Sequence, residues 1–312
     1  MEHQHNKEHK PAEHSHSAHG THETKNWYDK SYKWLLIIPA LMLVFSLIYL
    51  VNFYGKNGDL IYKDVSLTGG TEISVFDGKV DTNSLKETLK SEFPDLLLRE
   101  ISDIRTGEKK GFSVETKSDV SGIKSALEKQ LGYALTTDNS SIEFSGSSLS
   151  SGFYQQLRFA IILAFAFMAI VIFLLFRTFV PSAAVILAAF ADIVMTLVVV
   201  DIAGVNISTA GIIAFLMLIG YSVDTDILLT TRVLKKKEGT INERIFDAFK
   251  TGLTMTLVAI AAVGVSLFII YSFSETLKQI FLIILIGLGF DIFNTWITNA
   301  SILKWYAEAK KI

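Results

Sequence analysis

Four aspartates stand inside stretches that are otherwise apolar: Asp192, Asp224, Asp226 and Asp291. A charged carboxylate at mid-bilayer costs about 2.5–3.5 kcal/mol on insertion scales, so each needs a partner, a proton or water. Two of them fall in Gly220-Tyr-Ser-Val-Asp-Thr-Asp226, a segment followed by Arg232. Two positions on a helix are about 200° of rotation, so Asp224 and Asp226 cannot serve one point on one face. Asp226 is nearer Arg232 and the basic residues after it, which predicts a partly solvated position. Asp224 is then the expected buried, proton-carrying group, because a carboxyl in low dielectric can exchange a proton. The structural alternative is that these aspartates are hydrogen-bonded glue between helices, a reading that weighs as much as function for Asp192, Asp226 and Asp291.

A second polar pattern accompanies them. Asp291, Asn294, Thr295 and Thr298 follow helical spacing and share a face. The preceding apolar block carries Thr254, Ala261, Ala262 and Ser266, small enough to let helices approach closely. Together they predict a polar seam between the fourth, fifth and sixth apolar blocks.

Those blocks must position the acids. Half of the residues are hydrophobic, and they are gathered into six long runs, which predicts a polytopic α-helical membrane protein. The runs cover residues 34–53, 157–176, 180–200, 208–229, 253–271 and 279–303. The first follows a polar leader and is too long for a cleaved signal peptide, so it is read as a retained anchor. Trp27, Tyr28, Tyr32 and Trp34 at one end and Tyr49 and Tyr54 at the other suit an interfacial aromatic belt.

Residues 55–152 are different material. Asp64–Phe76 reads as a strand interrupted by Gly69-Gly70. Asp81 can cap a helix with Leu85, Leu89 and Phe93 on one face. Strands are predicted at 96–105 and 111–116, a helix through Leu131 and a last strand at 141–145. The order βαββαβ predicts a small α+β ferredoxin-like domain between the first and second spans. Ser145-Gly-Ser-Ser-Leu-Ser-Ser-Gly152 reads as a flexible linker behind it.

The whole divides into a leader (1–33), a first span (34–54), the inserted domain and linker (55–152), a five-helix membrane domain (153–304) and a short tail (305–312). All seven histidines lie in the leader, among Glu and Lys, where disorder is expected. Their spacing is irregular and no scaffold fixes a geometry, so no metal site is expected there. Lys and Arg crowd one set of connections: Lys25, Lys30 and Lys33; Arg177; Arg232, Lys235, Lys236, Lys237 and Arg244; Lys304, Lys310 and Lys311. The other side holds only Lys278 outside the inserted domain. By the positive-inside rule both termini are cytoplasmic and the inserted domain is extracytoplasmic.

Several chemistries are excluded. Without cysteine there are no disulfides and no thiolate chemistry. There is no G-x-x-x-x-G-K-[ST] loop for a nucleotide, no H-E-x-x-H, and no histidine after residue 22. Gly287-Leu-Gly-Phe-Asp291 approaches the Gly-x-Gly-Asp of intramembrane aspartyl proteases, but with one residue inserted. No cofactor, nucleic acid partner or enzymatic activity is expected.

With these residues in view the chain resembles the SecF subunit family of the SecD–SecF protein-export complex, of the resistance-nodulation-division type. The order of one span, a ferredoxin-like domain and five spans carries the resemblance. So do Leu67-Thr-Gly-Gly-Thr-Glu-Ile73, with Gly69, Gly70 and Thr71, and Gly220-Tyr-Ser-Val-Asp-Thr-Asp226 with Arg232. Gly220, Tyr221 and Ser222 match the family's Gly-Tyr-Ser, and its bacterial carboxylate falls on Thr225. Asp224 aligns with an aspartate of the SecD motif, and Met255 stands where bacterial members have an arginine. The resemblance implies an accessory subunit of the Sec preprotein translocase, in a cell membrane, driven by the proton motive force. It also implies a SecD-like partner, the translocon channel and preprotein substrates. The alternative is a proton-coupled small-molecule or lipid exporter of the same superfamily; a passive scaffold is a third reading.

Overall fold

The structure is a computed structural model, and it describes residues 27–311 apart from 104, 105, 237, 272 and 273. The histidine-rich stretch, with its expected disorder, lies outside the described residues. Among the described residues six helical segments are long and apolar enough to cross a membrane: 29–57, 149–176, 179–202, 209–235, 241–270 and 276–310.

The first span is a short helix α1 (Trp27–Leu35) continued by α2 (Ile37–Asn57), which ends at Gly58 with φ 71°, a left-handed cap that favours glycine. A connecting segment leads through α3 (Val65–Thr68) into β1 (Gly70–Val75). Then come α4 (Thr82–Glu92), β2 (Leu97–Ser102), β3 (Lys109–Thr116), α5 (Val120–Leu131) and β4 (Ser140–Ser145). The strands form one antiparallel sheet in the order β2-β3-β1-β4. Alternation decides its two faces. Ile73, Val75, Phe112 and Val114 are fully buried, under Leu85 and Leu89 of α4 and Ile123 and Leu127 of α5. Glu72, Ser113, Glu115 and Arg99 occupy the other face, with Ser113 donating to Glu72 at 2.9 Å and Arg99 paired to Glu115 at 3.1 Å. Asp81 caps α4 as its sequence suggests, accepting from the Asn83 amide at 3.0 Å.

Two connections differ from expectation. The Ser/Gly-rich stretch 145–152 is no loose linker: α6 (Ser147–Phe176) starts at Ser147 and runs unbroken into the membrane segment. Its N-terminal turns pack on α3, and that contact outweighs the low helix propensity of Ser and Gly. Likewise the polar stretch after the fourth span is mostly helix. After α7 (Phe179–Ile202), α8 extends from Thr209 to Lys235, and α9 from Ile241 to Ile270, twelve residues ahead of its apolar run. Thr240 and Glu243 form a capping box at the start of α9. Arg244 is buried and donates to the carbonyls of Val233, Glu238 and Gly239, tying the turn down.

The last span is α10 (Glu275–Phe293), a π-helical stretch Asn294–Asn299, and α11 (Ala300–Lys310). Lys304 of α11 is buried and bonds Asp29 of α1, while Tyr32 donates to Glu308 at 2.8 Å. The first and last helices therefore meet at one end of the bundle. The sheet domain stands at the other end. There Lys63 pairs as an isolated bridge with Ile207 in the α7–α8 loop, and the Asp64 amide donates to the Ile207 carbonyl at 3.1 Å.

Candidate functional site

The helices α7, α8 and α10 enclose a buried polar cluster built on three carboxyls: Asp192, Asp226 and Asp291, all with 0% exposure. Ser222 donates to Asp192 at 2.5 Å, and Asn294 donates to its other oxygen at 2.7 Å. Thr225 lies 3.1 and 3.2 Å from the two oxygens of Asp291. Thr295 stands between two acids, 3.0 Å from Asp226 Oδ1 and 3.2 Å from Asp291 Oδ1. Asn299 donates to Asp226 Oδ1 at 2.7 Å, while Asp226 Oδ2 and Asn299 Oδ1 have no hydrogen-bond partner among the described residues.

Hydroxyl arithmetic gives the cluster its chemistry. A threonine hydroxyl has one proton to donate. Thr295 can therefore donate to only one of Asp226 and Asp291. The second short oxygen–oxygen contact is a hydrogen bond only when that other carboxyl itself holds a proton. The geometry thus suits two acids sharing protons through a hydroxyl; beside them Thr225 bonds Asp291 and the Ser222 carbonyl, and the Ser222 hydroxyl bonds Asp192.

Local structure explains why these groups meet. Ser222, Thr225, Asp226 and Leu229 recur at helical spacing along the inward face of α8, so Asp226 points where Leu218 and Leu229 also point. Close approach of α10 is possible because Gly287 faces Leu218: a Cβ on Gly287 would lie 2.4 Å from Leu218 Cδ2. In the π-helical stretch Asn294, Thr295, Thr298 and Asn299 are all buried. Such wider turns are rare and recur at functional sites.

This geometry reverses the expectation for the two central acids. Asp226 is fully buried, whereas Asp224 faces outward from the helices and makes no hydrogen bond or ion pair within the described residues. Proximity to Arg232 was a poor guide, because α8 runs two further turns past Asp226 and Arg232 belongs to its last turn. The helical phase was the better signal: Met217, Tyr221 and Asp224 form one outward stripe. Gly220 adjoins that stripe, and a methyl added there would meet nothing within 4 Å. The pattern missed Asn299, a polar residue in a span's apolar end that could have been added to the Asp291 stripe. The seam also includes α7 through Asp192 and Met195, which the expected four-five-six seam left out. Thr256 alone of the polar residues on the α9 membrane segment is fully inward, and Met255 is exposed.

The other motif has a structural job. Gly69 (φ 84°) and Gly70 (φ 142°) are in backbone regions that favour glycine. A Cβ at Gly69 would lie 2.3 Å from Ser147 Cα, and one at Gly70 2.3 Å from the Thr116 carbonyl oxygen. Thr71 donates to the Ser118 carbonyl at 2.7 Å. The motif lets the sheet domain touch the start of α6. Nearby, burial pushes the Asp64 carboxyl up to about 6, although Ser66 donates to it from both its amide and its hydroxyl. Among the described residues no group of histidines and acids has the makings of a metal site.

Six spanning helices, an α+β domain inserted after the first, and a buried acidic cluster in the helical bundle define a polytopic membrane protein. The family described as protein export membrane protein SecD/SecF, C-terminal, matches residues 126–309. The protein-export membrane protein SecF of Methanocaldococcus jannaschii is 38% identical, with 91% of this chain and 99% of that protein covered. SecF of Methanothermobacter thermautotrophicus is 40% identical over 90% of this chain and 94% of that protein. The crystal structure of SecDF, a translocon-associated membrane protein from Thermus thermophilus, superposes with a TM-score of 0.71 at 16% identity, a likeness of fold. The match covers 89% of this chain and 38% of that longer one. The chain belongs to the SecD/SecF family of protein-export membrane proteins, and within it to the SecF group.

Proposed function

We propose that the chain is an accessory, non-enzymatic subunit of protein export, working beside a SecD-like partner at the Sec translocon channel and drawing on the proton motive force. The buried cluster of Asp192, Asp226 and Asp291 carries this reading. Three carboxyls joined by Ser222, Thr225 and Thr295 are costly in a membrane unless they hold or pass protons, and one charge moved through 100 mV yields about 2.3 kcal/mol. Preproteins are the substrate, and lipid is the surrounding solvent.

The sheet domain is read as ferredoxin-like, because its strand order and helix crossings follow the split βαβ pattern. The crowd of Lys and Arg at the α1/α11 end supports cytoplasmic termini and an extracytoplasmic sheet domain. Asp224 takes a different role from its buried neighbours. A lone acid on the outward face of α8 would be expensive against lipid, so the Met217–Tyr221–Asp224 stripe is read as the surface covered by the SecD-like subunit.

The test is export of a reporter preprotein from cells, or into vesicles, with and without a proton gradient. Asp226→Asn is expected to slow gradient-dependent export while co-purification with the SecD-like subunit persists. Asp224→Asn is expected to weaken co-purification. Unchanged gradient-dependent export in Asp226→Asn, Asp291→Asn and Asp192→Asn alike would sink the proton reading and favour a scaffold. Efflux of a small molecule with export intact would favour the exporter reading.

A further inference from the structure

Apart from the acidic cluster, one feature left unexplained is a cleft of about 780 Å³ between α2, α6, α7 and α8. Its walls are hydrocarbon: Leu50 of α2, Ile161 of α6, Val194 and Leu197 of α7, Ile212 and Phe215 of α8. Polar lining is confined to one end, the end that carries the sheet domain, where Tyr54, Asp59, Tyr154 and Arg158 stand. Leu47, Val51, Phe190 and Ile162 at its edges are exposed, so it opens sideways toward the membrane. A cleft open on that side is filled by whatever lies beside the helices at that depth. Water cannot fill this one, because a buried water needs two to four polar partners and the middle of the cleft offers none. A hydrocarbon chain can fill it.

The polar end says what the chain is attached to. Asp59 is already satisfied: it accepts from the Tyr154 hydroxyl at 2.6 Å and pairs with Lys63 at 2.9 Å. The Tyr154 ring carries two cations, Lys63 at 4.9 Å and Arg158 at 5.4 Å. Arg158 is exposed and has no carboxylate partner among the described residues. Two cations against one carboxylate leave one positive charge at the mouth. Arg158 also stands one helical turn before Ile161 and Ile162, so a group held by its guanidinium has its attached chain directed down the cleft. The Tyr154 side chain takes part of the guanidinium's hydrogen bonding, and the remaining N–H groups of its five serve the recognition of phosphate.

We propose that this cleft binds one bilayer lipid, its anionic phosphate headgroup on Arg158 and one hydrocarbon chain between α2 and α6. The lipid completes the contact of the first span with the rest of the bundle, at the level where the sheet domain joins the membrane. The occupant recognised is anionic, and a zwitterionic lipid lacks the net charge that matches the mouth.

The test uses the purified full chain, with its partner subunit where the two co-purify. It is placed in nanodiscs of phosphatidylcholine doped with phosphatidylglycerol bearing a diazirine on one chain, irradiated and mapped by peptide mass. Labels are expected to concentrate on Leu50, Ile161 and Leu197, and a diazirine phosphatidylcholine is expected to show no such concentration. Arg158→Gln should lower labelling there about tenfold, the usual effect of one charge-assisted contact. Arg158→Lys, which keeps the charge but loses the planar fork, should fall between the native protein and Arg158→Gln. Leu197→Trp, which fills the cleft, should remove it while Arg158 is intact. Even labelling over all lipid-facing helices would overturn the proposal. So would equal labelling in Arg158→Gln, or labelling lost whenever the partner subunit is bound, which would assign the cleft to a partner helix.

Discussion

Gly69→Ala probes how the sheet domain is held to the membrane helices. The residue has φ 84° and ψ 149°, a region that only glycine enters without strain. Holding alanine there costs about 1–3 kcal/mol. The added Cβ would also lie 2.3 Å from Ser147 Cα and 2.6 Å from Ser147 N. Backbone atoms cannot rotate away, so α3 or the first turn of α6 must move, and overpacking of this kind adds about 1–3 kcal/mol. The sum is about 2–6 kcal/mol, concentrated at the junction. Gly132→Ala is the control: its φ of 77° imposes strain, but nothing lies within 4 Å of the added methyl. That substitution should cost only about 1–2 kcal/mol, within α5. Amide hydrogen exchange of the purified protein separates them. Gly69→Ala should speed exchange over residues 147–152 and β1 by about thirtyfold or more, since 1.4 kcal/mol is a factor of ten. Gly132→Ala should leave those amides unchanged. If the two substitutions behave alike, or Gly69→Ala is neutral, the close contact with Ser147 does not hold the domain.

The same junction has a pH signature. The folded carboxyl of Asp64, raised by burial to about 6 from 3.8, holds its proton where the unfolded chain has lost it. Stability from this group is therefore greatest below about 4 and falls as pH rises through about 6. Exchange at residues 64–68, corrected for its intrinsic pH dependence, should grow over that window in the native protein and stay flat in Asp64→Asn; a junction that tightens with rising pH contradicts the assignment. A further variant addresses α10. Gln279 accepts from the Ser208 amide at 3.0 Å and from its hydroxyl, and donates to the Asn206 carbonyl. Gln279→Ala should loosen the α7–α8 loop by about 1.5–4.5 kcal/mol, from three bonds at roughly 0.5–1.5 kcal/mol each, and slow export with the acidic cluster intact. Native exchange at 206–211 in that variant would refute the link.

Hydropathy made most of the architecture legible, because each span must be apolar over a length set by the bilayer. The inserted domain was legible for a different reason: Asp81, Leu85 and Leu89, or Ile73 and Val75, follow the periods of an element with one covered face. What stayed hidden depended on contacts between elements. A Ser/Gly stretch reads as linker until α3 is seen packed on it. The choice between Asp224 and Asp226 could not rest on distance from Arg232, since it turned on helical phase. Both faces of α8 mix polar and apolar residues: Ser222, Thr225, Asp226 and Thr230 lie inward with Leu218 and Leu229, while Asp224 lies outward with Met217 and Tyr221. The π-helical stretch left no sequence mark beyond the run of polar residues it accommodates.

The positions of Asp291 and Gln279 bear on how proton binding could reach the sheet domain. Both belong to α10, twelve residues and so about 18 Å apart along one continuous helix. At the inner end, Thr225 and Thr295 bond Asp291. At the end nearer the sheet domain, Gln279 grips Asn206 and Ser208 in the loop whose Ile207 pairs with Lys63 and Asp64. Five residues on from Asp64, Gly69 meets Ser147, the first residue of α6. A change in the hydrogen bonds of Asp291 therefore acts on a helix whose far end holds the base of the sheet domain. The same base is fixed to α6, so a tilt of α10 against α6 must be absorbed in residues 58–69. That segment is short, bridged at Lys63 and pinned at Gly69.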